Sequence, residues 1–506
     1  MTCIGVYLPG VQRFHVFDKD TCGRIPWQSQ TSLSRNDFLG PRHFNISAAH
    51  GASALVPHPD QQLVCFHRAK SDTPNESELT AHRPALQGEP SQSLLKTMLK
   101  FLWQTLAIGL GSDLVCLALL YLNLIRIQIL YLSLNRRGAE RAPESLAEHD
   151  WPPITVLVPA YNEARVIEAT LRSLCAVTYP HMQIIVVDDG SEDPTPQIVA
   201  SLAREDSRLT LLRQPRNLGK ALALNAGIAA AQADYVIVLD ADTIPDANFL
   251  KLIIRPLLQE DADAVAGNVK VGNRGGLRIA TLFQSIEYVS VLNTTRLLQG
   301  FSGTVTTIPG AAGAMRTAAL RALGGYSSTT RAEDTDLTLR LVNHDFRVAY
   351  APQAIVRTET PSTWRSLYYQ RIRWIYGNMQ CIAGNRRPKD RGRRWRFHDI
   401  PAFVYENTWK PPLEFCRALV PILALGGLVP SYMLYGYFGL MLLNWLVVAS
   451  SYRIAAESSR ELLFVPLQYA LWPVFMIVPY CVAVWHFLFR QQVAWRQPSR
   501  TGAPVS

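Results

Sequence analysis

Long runs of apolar residues lie on both sides of a central region in which the apolar runs are short. The first long run precedes this central region. From Phe101 to Leu134 the only charged residues are Asp113 and Arg126. A helix needs roughly 20 apolar residues to cross the hydrocarbon core of a bilayer. We therefore predict a transmembrane helix within residues 98–135.

Two further apolar runs lie near the C-terminus, from Phe415 to Ser451 and from Leu462 to Phe489. The first run is long enough for two crossings, with a turn near Pro430. The second run contains three prolines, which kink a helix but are tolerated in buried membrane helices. We predict about three transmembrane helices within residues 413–490, followed by a tail over residues 491–506.

Basic residues after the first apolar run predict its orientation. Arg136, Arg137 and Arg141 follow the run directly, and loops rich in arginine stay on the cytoplasmic side. We therefore predict a multi-pass protein of the inner (plasma) membrane whose central region is cytoplasmic. Three crossings at the C-terminus would place Arg490 and Arg496 outside, against the same rule, so the number of crossings there is left open.

Between residues 151 and 360 the pattern changes to short β-branched runs separated by helical stretches. The runs ITVLVPAY, QIIVVDD and YVIVLDAD stay mostly apolar until their last residues, as strands buried on both faces do. This alternation of strands and helices predicts an α/β domain with a parallel sheet covered by helices. In such sheets ligands bind beyond the carboxyl ends of the strands.

Acidic and polar residues stand at the end of each of these three strands. They form the segments Tyr161-Asn162-Glu163, Asp188-Asp189-Gly190-Ser191 and Asp240-Ala241-Asp242. Turns are often polar, but aligned strands would bring these carboxylates to one rim. Two carboxylates separated by one residue can direct oxygens at Mg²⁺ or Mn²⁺. We predict such a cation here, because it would offset the negative charge that grows on a diphosphate leaving group.

A second acidic motif, Glu333-Asp334-Thr335-Asp336, precedes the helical run LTLRLV. Acidic residues are favoured at a helix N-terminus by the macrodipole, and Asp336 needs no other explanation. Transfer to a hydroxyl group also requires a carboxylate that accepts its proton. Asp334 is therefore the predicted base, with Glu333 as a neighbour that tunes its charge.

The motif QRIRW lies in an amphipathic stretch, and we predict interfacial helices over residues 361–412. Arginines whose apolar stems lie along a membrane surface explain most of this stretch. They do not explain Gln370 and Arg373, three residues apart and followed by Trp374.

The net charge of +10 suits a protein beside anionic lipid or with anionic substrates. We do not expect nucleic acid as a partner, because the basic residues cluster at the ends of apolar runs. The eight cysteines are scattered without a CxxC pair, so no zinc site is expected. Residues 1–97 are rich in Pro, Ser, Gln and His, and we predict that they are disordered.

In this order and spacing, the motifs VPAYNEA, DDGS, DAD, EDTD and QRIRW resemble the family 2 glycosyltransferases. Among these they are most similar to the processive membrane synthases, and in wording to bacterial poly-β-1,6-N-acetylglucosamine synthases. The resemblance covers about Trp151 to Asn378. It implies a GT-A (Rossmann-like) catalytic domain over residues 151–360, inserted between transmembrane helices, and a metal-dependent hexosyltransferase that uses a UDP-sugar.

The resemblance also implies roles for individual residues. The implied nucleotide-sugar contacts are Pro159, Tyr161, Glu163, Asp189, Lys220, Asp240 and Arg373. The implied ligands of Mg²⁺ or Mn²⁺ are Asp242 and Asp240, and the implied catalytic residues are Asp334 and Glu333. The implied acceptor-binding residues are Gln370, Trp374 and Gly310. Pro309 precedes Gly310 at a position where relatives often have Ser or Cys. This departure concerns the identity of the acceptor more than catalysis.

The resemblance implies inverting, processive synthesis of a β-linked polysaccharide, with UDP-N-acetylglucosamine as the expected donor. The expected partners are the growing glycan and the lipid bilayer, and a small membrane subunit is a further candidate. Three alternatives stay open. The chain could add one sugar to a lipid carrier, could be a hyaluronan, chitin or glucan type of synthase, or could be a catalytically silent export subunit.

Overall fold

The computed structural model describes three stretches of the chain and a few isolated positions before them. The stretches are residues 150–273, 278–385 and 399–493. The predicted first transmembrane helix lies almost entirely outside the described residues, and so does most of the predicted disordered extension. Both stay predictions.

The chain divides into two units, residues 1–88 and residues 89–506. In the first unit the described part is an antiparallel pair of two-residue strands, β1 (Val56–Pro57) and β2 (Leu63–Val64). All elements named below belong to the second unit.

The second unit is built on an eight-stranded sheet. In chain order its strands are β3 (Ile154–Ala160), β4 (Met182–Asp188), β5 (Leu209–Arg213), β6 (Tyr235–Val238), β7 (Thr243–Pro245), β8 (Ala264–Val271), β9 (Gly313–Arg316) and β10 (Val348–Thr358). Across the sheet they lie in the order β5-β4-β3-β6-β9-β8-β10-β7.

The strands β5, β4, β3 and β6 are parallel to one another, as the sequence predicts. The prediction of a parallel sheet is wrong for β9, which runs antiparallel to β6 and β8, and for β7, which runs antiparallel to β10. Gly310, three residues before β9, lies beside Asp240 at the carboxyl end of β6. The chain therefore enters β9 at the edge of the sheet where β6 ends, so β9 runs in the direction opposite to β6.

Eight helices accompany the sheet within the described residues. They are α1 (Ile167–Ala176), α2 (Thr195–Glu205), α3 (Lys220–Ala230), α4 (Phe249–Gln259), α5 (Ile279–Glu287), α6 (Thr294–Ser302), α7 (Thr317–Ala322) and α8 (Glu333–Asn343). A π-helical segment, Tyr288–Asn293, joins α5 to α6.

Helices cover both faces of the sheet, which confirms the predicted layering. On one face Val156 and Val158 of β3 belong to a core that includes α1, α2 and α4. On the other face Leu157 belongs to a core that includes α3, α7 and α8. All seven residues of β3 are buried, which is why its sequence lacks the alternation of a half-exposed strand.

The C-terminal region contains α9 (Trp364–Gly384), α10 (Asp399–Thr408), α11 (Lys410–Leu425), α12 (Met433–Ile454) and α13 (Val465–Leu488). Two helical stretches of the described chain, Met433–Ile454 and Ser459–Leu488, are long and apolar enough to cross a membrane. Helix α11 has 16 residues, which is shorter than the roughly 20 that a crossing requires. The three crossings expected at the C-terminus stay a prediction.

Candidate active site

A cavity of about 970 Å³ opens at the carboxyl edge of the sheet and extends between the C-terminal helices. Every residue to which the motifs assign a role lines this cavity. These residues are Pro159, Tyr161, Glu163, Asp189, Lys220, Asp240, Asp242, Gly310, Glu333, Asp334, Gln370, Arg373 and Trp374. The structure therefore brings the predicted nucleotide, metal, base and acceptor groups together, while their individual roles stay predictions.

Hydrogen bonds between side chains and backbone join the loops that follow β3 and β4. Asn162 has a left-handed backbone with φ of 54°, and its side-chain oxygen accepts from the N–H groups of Glu192 and Asp193 at 2.9 and 3.3 Å. The N–H of Glu163 donates to the hydroxyl of Thr195 at 2.9 Å. Asparagine adopts this conformation more readily than most residues, so the motif AYNEA fixes the loop that carries Glu163.

The carboxylate of Asp189 holds the loop that precedes α3. Its two oxygens accept from the N–H groups of Leu218 and Gly219, both at 2.8 Å. Burial raises the pKa of Asp189, and these two hydrogen bonds oppose the shift. Gly219 has a φ of 95°, a conformation that favours glycine, and Lys220 follows it. Asp189 therefore positions this lysine in addition to lining the cavity.

Lys220 connects the end of β6 to the start of α8. Its Nζ lies 2.5 Å from Oδ1 of Asp240 and 3.6 Å from Oε1 of Glu333. Burial lowers the pKa of Lys220, but the carboxylates of Asp240 and Glu333 raise it by more, so the lysine is held charged. A Cβ atom at Gly310 would lie only 2.6 Å from this Nζ, so the position of the lysine depends on a residue without a side chain.

Asp240 and Asp242 are the oxygen donors that a divalent cation would meet here. Both line the cavity, and Asp242 is 5% exposed. Within the described residues no group of three or more His, Cys, Asp or Glu side chains could hold a metal ion. Two carboxylates fit Mg²⁺ or Mn²⁺ when phosphate oxygens and water complete the coordination. The donor set therefore suits a cation that binds together with a phosphorylated ligand.

Asp334 lies in the first turn of α8 and faces the cavity. Burial raises the pKa of its carboxyl, the neighbouring Glu333 raises it further, and Lys220 and Arg373 oppose the shift. One oxygen of Asp334 accepts from the N–H of Thr335 at 2.8 Å. A carboxylate with a raised pKa holds a proton more strongly than an ordinary aspartate, which suits a group that accepts one.

Asp336, two residues further along α8, has a structural environment. Its Oδ2 accepts from Nε of Arg340 at 2.9 Å, one turn along the helix. The terminal nitrogens of Arg340 donate in turn to the carbonyls of Leu323 and Gly325. Asp336 does not line the cavity of the active site, so the interpretation of this residue as part of an acidic helix start agrees with its position.

Gln370, Arg373 and Trp374 lie on α9 at a spacing that places them on one face of the helix. The amide oxygen of Gln370 is shielded from solvent and has no hydrogen-bond partner within the described part of the chain. Arg373 donates to the carbonyl of Arg331 at 3.5 Å and lowers the pKa of Asp334 by its charge. These side chains therefore form the part of the cavity wall that α9 contributes.

Several polar groups in the cavity wall have no motif of their own. Arg296 is 8% exposed and donates to the carbonyl of Thr307 at 3.2 Å. Arg417 and Gln468 lie within apolar runs, and polar residues in such runs often mark functional sites. Glu287 gives no such signal, because its place in the wall depends on how α5 packs against α9.

Comparisons with known proteins relate the chain to glycosyltransferases. Residues 155–324 match the model of the family described as "Glycosyl transferase family 2". The chain is 33% identical over 237 residues to "Probable glycosyltransferase YdaM" of Bacillus subtilis, with 46% of this chain and 56% of that protein aligned. It is 33% identical over 230 residues to "Poly-beta-1,6-N-acetyl-D-glucosamine synthase" of Staphylococcus aureus, with 45% of this chain and 55% of that protein aligned. The chain thus matches about half the length of these curated relatives.

Among solved structures, "Mannosyltransferase PcManGT from Pyrobaculum calidifontis in complex with GDP-Man and Mn2+" superimposes with a TM-score of 0.52. The two chains are 22% identical, and the match covers 76% of this chain and 100% of that one. At this identity the likeness concerns the fold.

The mixed sheet, with its carboxylates gathered at one edge, is that of a GT-A-like glycosyltransferase. More narrowly, the chain carries a family 2 glycosyltransferase domain, and this domain is similar to that of poly-β-1,6-N-acetyl-D-glucosamine synthase. For this domain, the family indicated by the sequence motifs is confirmed.

Replacing Gly310 by alanine tests the contact with Lys220. The new methyl group should push the lysine away from Asp240, and the fold should survive because the displaced atom ends a flexible side chain. With UDP, the nucleotide that the sequence motifs imply, as the ligand, we expect binding about tenfold weaker, a loss of about 1.4 kcal/mol, as measured by calorimetry in the presence of Mn²⁺. Gly384→Ala is the matched control, since a Cβ there has no neighbour within 4 Å. Unchanged UDP affinity in Gly310→Ala would contradict this account.

The raised pKa of Asp334 predicts a gain in stability when its charge is removed. A carboxyl whose pKa is higher in the folded state stabilises the protein below its unfolded pKa, near 3.9, and loses that contribution as the pH rises. Asp334→Asn should therefore raise the melting temperature by a few degrees at pH 8 and by less towards pH 4. Asp336→Asn breaks the ion pair with Arg340 and should lower it. Melting curves in detergent, recorded across this pH range, would show whether the two variants change the melting temperature in opposite directions.

Proposed function

We propose that the chain is an inverting, processive membrane glycosyltransferase that polymerises a β-linked polysaccharide from UDP-N-acetylglucosamine. The observation that carries the proposal is the continuity of the cavity. The same cavity that holds the strand-end carboxylates continues past α9 to Arg417, Gln468 and Tyr469 between the C-terminal helices. A chain of sugars needs such a path, whereas a single transferred sugar does not. The similarity to a poly-β-1,6-N-acetyl-D-glucosamine synthase supports the choice of polymer and donor.

The donor would bind across the strand ends, with its nucleotide against the loops that carry Tyr161 and Asp189. Asp240 and Asp242 would hold Mg²⁺ or Mn²⁺, and the bound cation would offset the charge that grows on the departing diphosphate. The mannosyltransferase with the same fold was solved with GDP-Man and Mn²⁺, which supports a divalent cation here. Lys220 and Arg373 contribute positive charge to the same region of the cavity.

Asp334 would act as the base. It accepts the proton of an acceptor hydroxyl as that oxygen forms a bond to the anomeric carbon. The bond between the anomeric carbon and the diphosphate breaks on the opposite side, and UDP leaves. One displacement inverts the configuration, so an α-linked donor gives a β-linkage. The raised pKa of Asp334 favours proton acceptance at neutral pH.

Gln370 and Trp374 would hold the end of the growing glycan. An indole ring stacks on the apolar face of a sugar. The amide oxygen of Gln370, which has no partner among the described residues, can accept from a sugar hydroxyl. Because Gly310 has no side chain, the Nζ of Lys220 packs against the loop that would face the acceptor. These residues line the same cavity as the strand-end carboxylates and the C-terminal helices.

We propose that the protein resides in the inner (plasma) membrane, with the catalytic domain in the cytoplasm. Large apolar side chains such as Leu425, Tyr435 and Leu463 are exposed on the C-terminal helices, as contact with lipid requires. Lys270 of β8 pairs at 2.7 Å with Glu457, in the connection between α12 and α13. This connection would therefore lie on the same side of the bilayer as the catalytic domain. A small membrane subunit stays a candidate partner.

Membranes that contain the protein, incubated with a panel of labelled UDP-sugars, test the proposed function. We expect long β-1,6-linked N-acetylglucosamine chains from UDP-N-acetylglucosamine, identified by gel electrophoresis and linkage analysis. Asp334→Asn should lower the rate by about 10²- to 10⁴-fold, as the loss of a general base does, while UDP binding is retained. Products one sugar long would contradict processive synthesis, and a fully active Asp334→Asn would contradict the assigned base.

Removal of divalent cations tests the metal site separately. Membranes treated with EDTA should lose UDP release, and added Mn²⁺ or Mg²⁺ should restore it. Asp242→Asn should need a higher cation concentration for half-maximal rate, because one oxygen ligand loses its charge. EDTA-treated membranes that polymerise at the full rate would exclude a required cation at this site.

A further inference from the structure

A buried ion pair in the cavity wall takes no part in the mechanism described so far. Glu287, the last residue of α5, and Arg371 of α9 share two hydrogen bonds, one from Nη1 to Oε1 at 2.9 Å and one from Nη2 to Oε2. The side chain of Arg371 is 5% exposed and that of Glu287 is 12% exposed. Both residues line the cavity.

The guanidinium of Arg371 also lies within stacking distance of two indole rings. It is 4.7 Å from the ring centroid of Trp374, one of the acceptor residues, and 5.3 Å from that of Trp472 on α13. Arginine combines a planar cation with a fixed fork of donors, so it can stack on a ring and bind a carboxylate at the same time. Arg371 therefore connects the acceptor residue Trp374 to both α5 and α13.

The second indole ring is held by aromatic neighbours. Phe283 of α5 contacts Trp472 with ring centroids 6.0 Å apart and near-perpendicular rings. Phe475 of α13 lies 5.7 Å from the same ring. The ion pair is thus one side of a cluster in which α5, α9 and α13 meet beside the acceptor end of the cavity.

Neither stability nor substrate charge accounts for this pair. Apolar residues of similar volume often stabilise a fold as well as a buried ion pair does. The Nε of Arg371 has no hydrogen-bond partner within the described residues, which adds to the cost. Glu287 binds both terminal nitrogens of Arg371, so the positive charge is compensated and is not directed at a phosphate. A bidentate ion pair does, however, fix the orientation of the guanidinium.

We propose that Glu287 and Arg371 are positioning residues that hold the indole of Trp374 in the orientation that receives the acceptor sugar. Glu287 fixes the plane of the guanidinium, and the guanidinium fixes the plane of the ring. The effect on acceptor binding rests on the proposed function, whereas the orientation of the ring does not.

Near-ultraviolet circular dichroism tests the orientation without any sugar. The contribution of Trp374 is the difference between the wild-type spectrum and that of Trp374→Phe. Arg371→Met and Glu287→Gln should lose most of this contribution. Arg371→Lys should lose it too, because lysine keeps the charge but lacks the planar fork. Full retention in these variants would overturn the proposal.

The matched control breaks another buried ion pair. Glu457→Gln removes the pairing with Lys270. The side chain of Lys270 is 13% exposed and that of Glu457 is 10% exposed. This variant should lose thermal stability to a similar degree and keep the signal of Trp374. Loss of that signal in the control would mean that any broken ion pair disturbs the ring, which would also overturn the proposal.

Kinetics test the consequence for the reaction. With a β-1,6-linked N-acetylglucosamine pentasaccharide as acceptor, Arg371→Met should raise the KM for the acceptor about tenfold and leave the KM for UDP-N-acetylglucosamine unchanged, because only the acceptor contacts Trp374. In a Trp374→Phe background the same substitution should add no further effect. Additive effects would contradict action through Trp374. If the wild type transfers no sugar, the proposed function fails, and the dichroism still decides the orientation.

Discussion

The site depends on how the protein accommodates several negative charges at one edge of a sheet. The ends of β4 and β6 and the start of α8 bring five carboxylates, those of Asp189, Asp240, Asp242, Glu333 and Asp334, into the wall of one cavity. Repulsion and burial would separate or protonate them unless positive groups stood between them. Lys220 does so for Asp240 and Glu333, and backbone N–H groups do so for Asp189. A cation and a diphosphate would complete the same balance of charge.

Much of this arrangement could be predicted from local sequence, because the residues of each strand indicate whether its faces are buried and where it ends. The continuous apolar run of β3 predicts burial on both faces, and the polar residues after it predict an exposed edge where a ligand binds. Every site residue that the motifs predict lies in the cavity wall. Helix α1 begins only at Ile167, several residues after the strand-end motif. The side chains of Asn162 and Thr195 hold the intervening residues in a loop, and helical periodicity does not indicate such local bonding.

Other features are set by contacts that no local pattern contains. The direction of β9 follows from where its preceding loop lies, beside Asp240, and not from the residues GAMR themselves. Glu287 reaches the wall because α5 packs against α9, 84 residues further along the chain. Within QRIRW the two arginines are alike in sequence, yet Arg371 is buried in an ion pair and Arg373 faces the base. Only the packing of α9 against α8 and α13 distinguishes them.

The missing side chain at position 310 constrains how this protein could change over evolutionary time. Any residue larger than glycine would displace Lys220 from Asp240 and, in the proposed function, would disturb donor binding. Divergence towards another acceptor therefore has little freedom in the loop before β9. It has more freedom on the C-terminal helices, whose side chains line the part of the cavity beyond the strand ends. In the proposed enzyme, the acceptor path can therefore change while the groups that hold the donor stay the same.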